Sequence, residues 1–234
     1  MLIDRKLLQN TYEAKGKFYR LNFANQIVKC RSTLEIYNKS NFKEHLEPDA
    51  IVVMMNPGNS VALEVLDEED GIDGPIYACT NPNVEELIKE TKLSKAKPDS
   101  TQYQIMRLMY KFKWSYVRVL NLSDIRNTKS KEFIKEHRSF SNNWLSIFSD
   151  ERENERNERL SVCANKPVLV AWGVMPELEN LAYKAIGKLP NNLIGIKDKS
   201  HKEYMYLHPL QRGKRTSKDW LIQFLNENNH LIRN

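Results

Sequence analysis

The sequence predicts an α/β protein, and three observations carry that expectation. Short, continuously apolar runs end at turn residues, segments with helical spacing alternate with them, and no apolar stretch approaches the length of a membrane span. At 234 residues the chain has the length of one domain, taken as 1–234 with an acidic insertion at about 61–97. Hydrophobic residues at 41% and charged residues at 28% allow a sizeable core and exclude a disordered composition. The expectation is a soluble globular protein with a mainly parallel sheet and an N-terminal β-hairpin.

Asp4 to Ala14 has a helical pattern. Apolar and polar residues then alternate through Phe18–Phe23 and Gln26–Cys30 about a turn near Asn25, the signature of a hairpin. Ala50–Met55 is apolar throughout and stops at Asn56-Pro57-Gly58, as a strand buried on both faces does. From Glu64 to Asp73 six carboxylates follow with no sustained period, which reads as a solvated loop. Asn83–Lys92 has helical character behind an Asn83 cap, and Lys97-Pro98-Asp99-Ser100 punctuates the chain. The spacing of Tyr103, Met106, Met109 and Tyr110 then predicts a helix packed on the sheet.

Tyr116–Leu120 is the next strand and ends at Asn121. Ser130–Phe148 reads as helix, and the Glu/Arg/Asn run from Asp150 to Arg159 as solvated helix surface or a connection. Pro167–Ala171 is a third buried strand, closed by Trp172-Gly173, before a helix that opens near Pro176. Leu193–Ile196 and Tyr204–Leu207 supply further strand material ahead of His208-Pro209, and Ser217–Asn226 a terminal helix. In open α/β sheets ligands sit outside the carboxyl ends of the strands. Asn56-Pro57-Gly58, Asn121, Trp172-Gly173 and His208-Pro209 mark four such ends.

The order of these motifs, with Asp99-Ser100-Thr101 opening a helix, resembles a bacterial and phage domain-of-unknown-function family that reads N-P-S-T, D-P-T, V-N-L, A-W-G and H-P. The resemblance spans about residues 18 to 212. More distantly the chain resembles the uracil-DNA glycosylase superfamily, whose mismatch-specific branch carries I-N-P-G after its first strand. That resemblance implies a three-layer α/β/α sandwich with a central parallel four-stranded sheet and a pocket for a base swung out of nucleic acid. It implies an N-glycosidic bond hydrolase in which Asn56 holds a water and His208 steadies the departing base. Pro57, Gly58, Asn121, Trp172 and Gly173 would then line the substrate site, with no cofactor and no metal.

Each motif also has a plain structural reading. Asn-Pro-Gly is common turn chemistry, Asn121 can cap the following segment, and Trp172 can be core. His208-Pro209-Leu210 lacks the superfamily's serine, and Asn56 stands where its fastest branch has an aspartate. The acidic run after the first motif would repel a polyanion.

The net charge of +6 is mild and only permits an anionic partner. From Lys197 to Asp219 seven basic residues stand against three acidic ones, with Tyr204 and Tyr206 interleaved. Arg212, Lys214 and Arg215 are the candidate phosphate contacts for DNA or a nucleotide. Cys30, Cys79 and Cys163 are too widely spaced for a CxxC metal site, and with no membrane partner or secretory signal the expected location is the cytoplasm. Two alternatives to catalysis remain: a nucleotide binder using the same pocket, and an interaction module presenting the acidic segment.

Overall fold

A computed structural model describes residues 3–24, 26–41, 47–140, 143–161, 165–199, 202–210 and 216–231. Helix α1 (Arg5–Thr11) opens on Asp4, whose carboxylate accepts from the Lys6 N–H, and leads into the long strands β1 (Tyr12–Phe23) and β2 (Gln26–Asn38). Next come β3 (Ala50–Met54), β4 (Val61–Ala62), β5 (Ile76–Ala78), α2 (Val84–Glu90) and β6 (Leu93–Lys97). Helix α3 (Ser100–Phe112), β7 (Tyr116–Asn121), α4 (Ser130–Phe140), α5 (Glu153–Leu160) and β8 (Val168–Val170) follow. The chain closes with α6 (Glu179–Ile186), β9 (Leu193–Ile194) and α7 (Ser217–Glu227).

The strands form one mixed sheet in the order β4-β6-β1-β2-β7-β3-β8-β9, with β5 paired to β1. Strands β7, β3, β8 and β9 run parallel to one another, and β3 at their centre is buried at all five positions. The expectation of a four-stranded, mainly parallel sheet is corrected: nine strands are present among the described residues, and antiparallel ladders hold more of the residue pairs. The extra strands come from the hairpin, which is far longer than its apolar stretches and pairs through β2 with β7. The insertion adds the others, because β4, β5 and β6 join the sheet rather than loop out.

Alternation along the strands splits the core in two. Val52 and Met54 of β3, with Val117, Val119 and Leu169, pack beneath α3 and α7. Ile51 and Val53, with Leu120, Val168 and Val170, pack against residues of α2, α4 and α6 on the other face. The Asp99 carboxylate caps α3 by accepting from the Gln102 N–H, and α7 begins with a capping box between Thr216 and Asp219.

Three further expectations are corrected. The helix predicted over Ser130–Phe148 ends at Phe140. Tyr204–Leu207 is not a ladder strand, since Tyr206 makes only isolated bridges to Gly173 and Lys197. The mixed-charge run from Asp150 to Arg159 is solvated on one side only: Arg152, Glu155, Arg156 and Arg159 are all buried, while Asp150, Glu151, Glu153, Asn154, Asn157 and Glu158 are exposed. Arg152 spans Asp124 and Glu155 at 2.6 Å each, so one partner comes from the run itself and the other from the turn after β7. Among the described residues no helix is long and apolar enough to cross a membrane.

Candidate functional site

The parallel register brings the carboxyl ends of β7, β3 and β8 side by side, with Met54 of β3 opposite Asn121 of β7. Asn56 lies just beyond β3, half-buried, in the turn that leaves the sheet. Its Nδ2 donates to the Ile125 carbonyl at 3.1 Å and to the Asn127 carbonyl at 2.7 Å. Both amide hydrogens are thereby spent on the backbone that follows β7, and Oδ1 is the uncommitted acceptor, with no donor among the described residues. Pro57 is buried, and Gly58 has φ +61°, a left-handed backbone that favours glycine, with Asp99 Oδ2 3.3 Å from where a Cβ would stand. The same Asp99 caps α3, so the Asn-Pro-Gly turn rests against that helix's first turn.

Asn121 is completely buried. Oriented to satisfy its neighbours, its amide nitrogen donates to the Asn56 main-chain carbonyl and its oxygen accepts from an Arg31 Nη, each at 3.2 Å. The side chain expected to read a base is therefore holding β7, β3 and β2 together.

Arg31 was not singled out by the sequence reading. It is 2% exposed, and among the described residues neither its Nε nor its Nη1 has a hydrogen-bond partner. Burial pushes its pKa down to about 10, with Asp99 working in the opposite direction and Arg126 adding to the fall, so it stays charged at neutral pH. Its placement follows from a bulge: between the pairs Gly16/Leu34 and Phe18/Arg31, β2 takes three steps to β1's two. Arg31 consequently shares the face of Phe18 and of α3. The one signal in the sequence is the polar run Arg31-Ser32-Thr33 between two apolar stretches of a single strand.

Beyond β8, the Trp172 indole N–H donates to the Tyr204 carbonyl at 2.7 Å, and its ring meets Tyr206 edge-on in the core. Trp172 is 1% exposed, which is the packing role rather than a stacking surface. Gly173, at φ +107°, donates its N–H to the Tyr206 carbonyl at 2.9 Å, and its missing Cβ would stand 4.0 Å from the Cβ of His208. His208 is half-buried and its Nδ1 accepts from the Leu210 N–H at 3.1 Å. The neutral ring therefore carries its proton on Nε2, a donor.

The predicted residues thus form two linked groups on adjoining strand ends: Asn56, Gly58 and Asn121 around β3 and β7, and Trp172, Gly173 and His208 around β8. Arg212, Lys214 and Arg215 lie outside the described residues. Tyr204 and Tyr206 are buried, with the ammonium groups of Lys202 and Lys197 above them at 5.7 Å and 5.9 Å, so neither presents an open face to a base.

The acidic segment is tied to the sheet. Asp73 pairs with Arg126 at 2.7 Å and Lys29 at 2.6 Å. Burial acts to raise its carboxyl, but the hydrogen bonds from Lys29 and Arg126 hold it below the usual value. Among the described residues no group of three or more His, Cys, Asp or Glu is placed to hold a metal.

No protein-family model, curated protein or solved structure matches the chain.

Proposed function

We propose that the chain recognises a nucleobase, or a nucleotide carrying one, at the carboxyl edge of β7, β3 and β8, in a uracil-DNA glycosylase-like fold. The observation that carries this reading is the Asn56 amide, fixed through Nδ2 by two main-chain carbonyls so that Oδ1 is its only unspent polar atom. Such an acceptor can hold a water or a base N–H but has no useful basicity, so any hydrolysis at this site is slow. By the same resemblance His208, half-buried at the adjoining strand end, would stabilise negative charge on a departing base. The unspent N–H groups of Arg31 add a donor set behind Asn121 for a carbonyl or phosphate oxygen.

The test is base release from oligonucleotides containing uracil, hypoxanthine or an alkylated base. Asn56→Ala is expected to lower the rate roughly 100-fold by releasing the water from its position. No base release from any of these substrates, together with no thermal stabilisation by free bases or nucleotides, would sink the proposal.

A second reading, binding without catalysis, is favoured by a specific observation: Asn56, held by the Ile125 and Asn127 carbonyls, offers an amide oxygen with no useful basicity where hydrolysis needs a proton acceptor. It predicts a raised melting temperature with a base or nucleotide and no product.

A further inference from the structure

Away from the strand ends, the acidic segment folds over β1 and encloses a cleft of about 190 Å³. Its apolar walls are Phe18, Leu66, Ile72, Pro75 and Tyr77. Glu64, Asp67, Asp70 and Glu90 line it against one lysine, Lys92, an excess of negative charge in a chain whose net charge is +6. Glu64 accepts from the Lys95 N–H and Asp67 from the Glu69 N–H. Asp70 and Glu90 have no side-chain hydrogen bond or ion pair among the described residues, and both act electrostatically on the Tyr77 phenol at the cleft.

Leu66 and Ile72 at the cleft, and Leu63, Val65 and Ile76 near them in sequence, are each 44% to 59% exposed, a concentration of large apolar side chains in one short segment. Isolated exposed leucines need no explanation, but five exposed large apolar side chains within fourteen residues, two of them lining a charged cleft, point to an interaction site.

We propose that this face is a docking surface for a basic, amphipathic peptide segment of a partner protein, which places one Lys or Arg side chain in the cleft. Size and charge together select that occupant. Small-molecule sites occupy about 300–1,000 Å³, so a cleft of about 190 Å³ suits a single side chain better than a nucleotide. A long basic side chain lays its methylene stem on apolar walls and carries its charge to the carboxylates, which matches the arrangement of Tyr77, Leu66, Asp70 and Glu90. The surrounding isoleucine and leucine side chains then meet apolar residues of the same segment. The cleft shares no lining residue with the strand-end site, so this proposal stands or falls independently of base recognition.

The test is fluorescence anisotropy at low salt with a labelled octapeptide of alternating arginine and leucine. Saturable binding is expected, weakened about tenfold by Asp70→Asn with Glu90→Gln, and about fivefold by Leu66→Ser with Ile72→Ser. A peptide with glutamate in place of arginine should not bind. The Asp70 and Glu90 side chains make no hydrogen bond or ion pair among the described residues, and the Asp70 carbonyl that accepts from Arg20 is main chain and kept in the variant, so melting temperatures within about 2 °C of the parent are expected and check that the variants are folded.

Three results would overturn the proposal. One is affinity unchanged by either pair of substitutions. Another is equal affinity for a peptide with serine in place of leucine, which would reduce the partner to a simple cation. The third is a dimer in sedimentation that Asp70→Asn with Glu90→Gln dissolves, which would make a second copy of the chain the occupant.

Discussion

Asp124 and Arg152 meet at 2.6 Å with both side chains fully excluded from solvent, and Arg152 continues at 2.6 Å to an equally buried Glu155. Tyr19 adds a phenol donor to Asp124 at 2.7 Å. The network staples α5 to the turn after β7. Breaking a buried pair strands a charge, at a cost of about 3–5 kcal/mol, whereas replacing a whole buried set by apolar groups is often neutral. Arg152→Met is therefore expected to lose about that much stability in urea unfolding, and Asp124→Leu with Arg152→Met and Glu155→Leu to recover most of it. An Arg152→Met protein that unfolds at the parent's midpoint would show that the network contributes nothing.

The same burial gives Asp124 a pH signature. Its carboxyl is pushed up from 3.8 to about 6, chiefly by burial, with Arg152 pulling the other way. A carboxyl that holds its proton more tightly in the folded state favours folding at low pH, so its contribution is complete below 3.8 and is lost as pH rises through about 6. Asp124→Asn is expected to remove this component from a plot of unfolding free energy between about pH 4 and about pH 7. Parallel curves for the two proteins would exclude Asp124 as the titrating group.

How far such features are legible in sequence depends on whether their cause is local. The runs that became β3, β7 and β8 are visible because a strand buried on both faces must be apolar throughout, and their turns are written in Asn, Pro and Gly. Strand β6 is not visible: its buried positions are Ser94 and Ala96, and only pairing with β1 and β4 makes it a strand. The burial of Arg152 is equally hidden, because its partner Asp124 lies on another element and a charge run by itself looks solvated. In the candidate site the motif order points to the carboxyl ends of β3, β7 and β8, but Arg31 comes beside them only through a bulge that shifts one residue of β2 to the other face. The roles of Asn121 and Trp172 depend on which neighbours consume their polar atoms, and that is settled by packing.

Asn56 offers a sharper test than deletion. Under the proposed reading a carboxylate at position 56 would supply the basicity that the amide lacks, so Asn56→Asp looks like a gain of function. Here both Nδ2 hydrogens go to the carbonyls of Ile125 and Asn127, and an aspartate would face those oxygens with no donor. The expected result is a loss of about 1–3 kcal/mol in thermal or urea unfolding and no acceleration of base release. Faster base release at undiminished stability would show that the turn can rearrange around a carboxylate.

The acidic segment depends on one close approach. Gly74, at φ +79°, packs so tightly that a Cβ would lie 2.0 Å from the Phe18 carbonyl oxygen and 2.7 Å from its carbon. Its own carbonyl accepts two hydrogen bonds from Arg20, at 2.9 Å and 2.7 Å. Backbone cannot retreat as a flexible side chain can, so Gly74→Ala must push the segment away from β1. Gly71 is the control: at φ +65° it has nothing within 4 Å of an added Cβ, and Gly71→Ala carries only the left-handed backbone cost of about 1–2 kcal/mol. Limited proteolysis should therefore cut between residues 64 and 73 about tenfold faster in Gly74→Ala, and little faster in Gly71→Ala. Because the cleft is built from the same segment, Gly74→Ala should also abolish binding of the arginine-leucine peptide while the buried β7-β3-β8 core stays folded by circular dichroism. Equal behaviour of the two variants would mean that backbone strain, not the contact with Phe18, governs how the segment is held.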